Sequence, residues 1–87
     1  MTLQELADIF SVEIHTYYSN YTKKFHTKLR RLEIKDRGFL VSSAGYGDSK
    51  KTSMEDYCNR VRGRILVKNA HSDSRMEIQV PETLVAE

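Results

Sequence analysis

VEIHTYYSNYTKKFHTKLRRLEI, residues 12–34, is the stretch that decides how this chain folds. Val12, Ile14, Thr16 and Tyr18 alternate with Glu13, His15, Tyr17 and Ser19, and a period of two sends alternate side chains to opposite faces of a strand. Ser19 to Lys23 reads as a hairpin turn, after which Phe25, Thr27 and Leu29 resume the alternation. Leu32 and Ile34 fall on the opposite parity, which would turn the apolar face outward unless an extra residue is absorbed. A β-bulge near Arg30 and Arg31 is therefore expected, carrying the strand on without changing sheets.

Working outward, Thr2 and Glu5 form the sequence signature of a capping box, and Leu3, Leu6, Ala7 and Phe10 follow at helical spacing. Downstream, Asp36-Arg37-Gly38 makes a turn and Phe39 to Ser43 a short strand. Ala44-Gly45-Tyr46-Gly47-Asp48 reads as a loop, because its Gly-Tyr-Gly lacks the spacing of a nucleotide-phosphate cradle. Thr52 or Ser53 caps a second helix carrying Met54, Tyr57, Cys58, Val61 and Ile65 at helical spacing, and Gly63 ends it. Ile65 to Val67 and Met76 to Val80 form a second hairpin around Asn69 to Ser74, closed by Pro81, which has no amide to donate. The expected fold is α+β: a single antiparallel β-sheet with two α-helices on one face, ordered α-β-β-β-α-β-β. Leu6, Phe10, Val12, Ile14, Phe25, Leu29, Leu40, Tyr57, Val61, Ile65, Val67, Ile78 and Val80 are its expected core. Residues 1–87 read as one small domain, with 82–87 a tail that has no ordering signal.

Composition excludes several classes. The 87 residues hold 14 Lys and Arg against 12 Asp and Glu, with 39% hydrophobic positions, the balance of a small soluble domain. No apolar run approaches the roughly 20 residues that span a bilayer. Met1 to Phe10 lacks the basic and apolar blocks of a secretory leader, and the lone Cys58 has no disulfide partner, so a cytoplasmic protein is expected. The net charge of +2 is mild but unevenly placed. Lys23, Lys24, Lys28, Arg30, Arg31, Lys35 and Arg37 crowd one segment that contains only Glu33 and Asp36 in opposition, whereas the end of the chain, Glu82 to Glu87, is acidic.

Spacing argues against built-in chemistry. His15, His26 and His71 lie on separate elements without a second cysteine, which disfavours a zinc site, and His15 and His26 read as an exposed cross-strand pair. Cys58 lies on the apolar stripe of its helix, where a thiol is inert. Glu55 and Asp56 fit the first helical turn, where carboxylates oppose the dipole, better than a paired acid and base. No active site, metal or cofactor is implied. The feature that stands out is the basic hairpin with rings beside it, His15 and His26 included. Lys and Arg neutralise phosphates and flat rings stack on bases, although charges on an exposed strand also guard against edge pairing. Tyr17, Tyr21, Lys23, Lys24, Lys28, Arg30, Arg31 and Arg37 are the expected contact residues.

The hairpin, the strand running into Gly45-Tyr46-Gly47-Asp48-Ser49, and the helix opening Thr52-Ser53-Met54-Glu55-Asp56-Tyr57 are similar in layout to the HicB-like antitoxin module. The likeness covers about sixty positions and departs at Leu32 to Gly38, which lacks the prolines of that family's second strand. The same region together with Arg62 to Ala70 and Arg75 to Pro81 resembles small proteins encoded by phages and prophages of Gram-positive bacteria. That resemblance implies a non-enzymatic interaction protein that binds and inhibits or redirects a host protein or nucleoprotein complex, as anti-CRISPR inhibitors do. The alternatives are a direct DNA- or RNA-binding protein using the basic hairpin, or an antitoxin-like partner of a small ribonuclease. A monomer and a homodimer fit the sequence equally, and no membrane partner is expected.

Overall fold

The computed structural model describes residues 1–87. The elements are α1 (Leu3–Phe10), β1 (Ile14–Ser19), β2 (Lys24–Leu29), β3 (Leu32–Asp36), β4 (Phe39–Val41), β5 (Gly45–Gly47), α2 (Lys50–Val61), β6 (Ile65–Lys68) and β7 (Met76–Gln79). The fold is α+β with two helices and antiparallel strands, but the strands divide into two sheets, β1-β2-β5 and β4-β3-β6-β7, where one had been expected. The division falls at Arg30 and Arg31. Instead of a bulge there is a tight turn with Arg31 in the left-handed region at φ 64, and β3 leaves β2 to pair with β4 and β6. The shift of parity is thus a corner: Thr27 and Leu29 of one sheet and Leu32 and Ile34 of the other are all buried.

The capping box forms as expected, the Glu5 amide donating to the Thr2 hydroxyl while the Glu5 carboxylate accepts from the Thr2 amide. The second helix starts earlier than Thr52 or Ser53. Ser49 is its cap, accepting from the Thr52 amide while the Thr52 hydroxyl accepts from the Ser49 amide. The expected loop at Gly45-Tyr46-Gly47 is the strand β5, paired with β2. Its glycines are steric necessities: a Cβ on Gly45 would stand 2.3 Å from the Ser53 carbonyl oxygen and the Tyr57 amide nitrogen, so β5 lies directly against the backbone of α2. The Tyr46 amide donates to Asp56 at 2.8 Å, covering a donor that an edge strand would otherwise leave open. Beneath the sheet the hydroxyls of Thr16, Thr27 and Ser53 form a chain at 2.9 and 2.7 Å, and Ser53 also donates to the Lys50 carbonyl, so the buried polar groups are satisfied.

One core is shared by both sheets and both helices, from Leu3, Leu6, Ala7 and Phe10 of α1 to Tyr57, Cys58 and Val61 of α2 and Leu29, Leu32, Ile34 and Leu66 of the strands. Burial pushes the Tyr57 phenol up to about 12 and raises the Cys58 thiol as well. Of the expected core, Leu6, Phe10, Leu29, Tyr57, Val61, Val67 and Val80 are buried, and Val12, Ile14 and Ile78 are half-buried against it. Phe25, Leu40 and Ile65 are not part of the core cluster. Phe25 stands near the hairpin turn with its ring edge-on to Tyr18 at 5.3 Å, whereas Leu40 and Ile65 share the outer face of the second sheet with Lys35, which each of them opposes. The segment after Pro81 docks beside α1: Leu84 is fully buried, the Leu3 amide donates to the Val85 carbonyl, and Val85 donates to Met1. No helix is long and apolar enough to cross a membrane.

Candidate functional site

Alternation gives the three-stranded sheet two unlike faces. Thr16, Thr27, Leu29, Gly45 and Gly47 turn toward α2 and the core, so His15, Tyr17, Lys24, His26, Lys28 and Tyr46 project from the other side. The register places Tyr17 opposite His26 and His26 opposite Tyr46, a row of three rings crossing all three strands. Ring centroids are 5.0 Å apart for Tyr17 and His26 and 4.5 Å for His26 and Tyr46, and His15 continues the row 5.2 Å from Tyr17. Tyr17 and Tyr46 are 45% and 40% exposed, high for aromatic side chains in mutual contact.

The row is held in place. The Thr22 hydroxyl lies 2.7 Å from His26 Nε2 and the Tyr17 hydroxyl 3.3 Å from His26 Nδ1, so both nitrogens of the central ring are engaged. Arg30 Nη2 donates to His15 Nδ1 at 3.4 Å. At the opposite end the Arg60 guanidinium lies 5.2 Å from the Tyr46 ring centroid, a cation–π arrangement, and its Nε donates to Asp56 at 2.9 Å. Burial raises the Asp56 carboxyl, but the Tyr46 amide, Arg60 and Lys24 outweigh it, and the net displacement is below the ordinary 3.8. Asp56 is therefore a carboxylate at neutral pH, binding β5 and Arg60 together.

The face brings some of the expected residues together and leaves others apart. Tyr17 is central; Lys24 and Lys28 flank His26 on β2, and Arg30 closes the His15 end. Lys24 lies 4.0 Å from the exposed Asp48, an ion pair of little energetic weight. Tyr21, fully exposed, and Lys23, at φ 59, belong to the hairpin tip rather than the row. Arg31 turns the corner between sheets, and Arg37 sits at φ 51 in the β3–β4 turn of the other sheet, outside this face. Sequence reasoning missed Tyr46 and Arg60. The signal for Tyr46 was present in the two glycines around it, since small residues two apart with a ring between them suit a strand pressed against a helix with the ring facing away. Arg60 could be found only through Asp56, which joins α2 to β5.

Chemically, exposed rings in a row with cations around them offer stacking surfaces for flat groups and partners for anions. His15 and His26 share the face with no carboxylate or thiol grouped around them, and no set of His, Cys, Asp and Glu comes together that could hold a metal ion. Cys58 lies in the core, and burial keeps its thiol above the ordinary range. A scan against protein-family models and searches of curated proteins and of solved structures find no match for this chain.

Proposed function

We propose that the outer face of β1–β2–β5 binds single-stranded nucleic acid, the rings of Tyr17, His26 and Tyr46 stacking on bases while Lys24, Lys28, Arg30 and Arg60 meet phosphates. The observation that carries this reading is the row of rings at 5.0 and 4.5 Å spacing, open on one side and backed by α2 on the other. Base stacking on such rings contributes about 1–3 kcal/mol per base and requires bases freed from a duplex. The resemblance to phage-encoded proteins supplies a biological form for the reading: an accessory protein engaging a guide or target strand exposed in a host nucleoprotein complex, and inhibiting or redirecting it.

The test separates rings from charges. Tyr17→Ala and Tyr46→Ala should each weaken binding of a single-stranded oligonucleotide by roughly 5- to 150-fold, the equivalent of one lost stacking contact, without altering the melting temperature by more than a few degrees. The triple exchange of Lys24, Lys28 and Arg30 to Glu should abolish binding. The parent's affinity should fall with salt at a slope of about −2 to −3 in log K against log concentration, as expected for three or four neutralised phosphates. Parental affinity in both ring variants would overturn the reading. Capture of a host protein that survives nuclease treatment would assign the same face to a protein partner instead.

A further inference from the structure

At the His15 end of the ring row lies a cavity of about 350 Å³ lined by Ser11, Val12, Glu13, Arg30, Arg31 and Lys68. Three segments that are distant in sequence converge on it: the link from α1 to β1, the corner between the sheets and the end of β6. Three of its residues are cations and one, Glu13, is a carboxylate, so the cavity carries a formal charge of +2. None of the three cations takes part in the molecule's ion pairs, which engage Lys24, Lys35, Arg60, Arg64 and Arg75 instead. The Lys68 ammonium is fixed by donating to the Phe10 carbonyl, and Arg30 reaches out of the cavity to His15. Three cations against the single carboxylate of Glu13 leave an excess of positive charge, and guanidinium groups are the side chains best suited to meeting anionic oxygens.

We propose that this cavity seats the terminal phosphate of the strand bound on the ring face, an inference that rests on the reading above. Arg30 belongs to both places, contacting His15 at one side and lining the cavity at the other, so a strand lying over His15 and Tyr17 would deliver its end there. A terminal monoester carries close to two negative charges at neutral pH, matching the cavity, whereas an internal diester carries one. The ligand chemistry is a phosphomonoester, on a 5′ or a 3′ end.

The experiment compares an eight-nucleotide oligothymidylate in three forms, unphosphorylated, 5′-phosphorylated and 3′-phosphorylated, by fluorescence anisotropy on the parent and on Arg31→Asn. Asparagine tolerates the left-handed backbone of this corner, so the variant removes the cation without straining the turn. One phosphorylated form should bind the parent about tenfold more tightly than the unphosphorylated strand, the scale of one charge-assisted contact, and Arg31→Asn should erase that preference while leaving the unphosphorylated affinity in place. Equal binding of all three forms would overturn the phosphate seat and leave the ring-face reading standing. Were none of the three to bind, the ring-face reading would fall. The cavity would then be judged by titrating methyl phosphate and following the amide signals of Ser11, Arg30, Arg31 and Lys68: saturable shifts support it, and unmoved signals overturn it.

Discussion

Replacing Gly45 by alanine probes the joint on which the ring face depends. The added methyl would stand 2.3 Å from the Ser53 carbonyl oxygen, 2.3 Å from the Tyr57 nitrogen and 2.7 Å from the Tyr57 Cα. All three are backbone atoms of α2, so no rotamer change relieves the clash, and either the helix or β5 must move. Inserting a methyl into a packed site costs typically 1–3 kcal/mol, and a rigid neighbour places this case at the upper end, about 3 kcal/mol. For a domain of this size that lowers the melting temperature by roughly 12–24 °C. Gly38→Ala is the control, since nothing lies within 4 Å of its Cβ and only the left-handed backbone at φ 87 is penalised, by about 1–2 kcal/mol. Thermal unfolding followed by circular dichroism measures both. A Gly45→Ala variant melting within about 3 °C of the parent would refute the claim that β5 is pressed against α2, and with it the placement of Tyr46 beside His26.

Three other outcomes follow from the same packing and charges. Val61→Asp puts a carboxylate at a fully buried position and should cost roughly 3–5 kcal/mol, a large part of the domain's stability; a parental denaturant midpoint would show α2 to be turned the wrong way. Asp56 has a lower pKa folded than unfolded, so its contribution is complete above the unfolded value near 3.8 and is lost as pH falls through the folded one. Denaturant unfolding from about pH 5 down to pH 2 should therefore fall less steeply for Asp56→Asn than for the parent, and equal slopes would remove Asp56 as the clasp between β5 and α2. Cys58, fully buried with its thiol raised by burial, should resist a thiol reagent in the native protein and react at once in denaturant; rapid native labelling would contradict its place in the core.

What could be read from the sequence followed the range of each signal. Thr2 and Glu5 interact across three residues, so the first helix and its cap were legible directly. Alternation from Val12 to Leu29 likewise announced the first hairpin and which of its residues share a face. Parity alone could not distinguish a bulge from a corner at Arg30 and Arg31. Both explain why Leu32 and Ile34 change sides, and only the pairing of β3 with β6, whose partners lie thirty or more residues apart, decides between them. The strand β5 has three residues, two of them glycine, and takes its conformation from α2 and β2 rather than from its own propensity. Thr52 and Ser53 each have an acid three residues on, Glu55 and Asp56, and so compete as caps in the sequence, whereas Ser49 and Thr52 cap each other through a weaker version of the same motif. Residues Leu66 and Val67 are both buried although they face opposite sides of β6. Leu66 meets Ile34 and Ile78, while Val67 lies between Glu33 and Glu77 on the neighbouring strands. For the site, Tyr17, Lys24, Lys28 and Arg30 could be grouped because one hairpin carries them. Tyr46 and Arg60 could not, since they reach the face only through tertiary packing.

The ring face itself is tested most directly by mapping where a strand sits. An unphosphorylated oligothymidylate added to isotope-labelled protein should move the ring signals of His15, Tyr17, His26 and Tyr46 and the side-chain signal of Arg60, and leave those of Phe39, Val41 and α1 in place. Phe39 provides a demanding reference, because it is 74% exposed on the other sheet and would report any indiscriminate apolar adsorption. Shifts confined to the β1–β2–β5 rings are the result this account predicts. Saturating binding that moves Phe39 or α1 while the four rings stay still would contradict it.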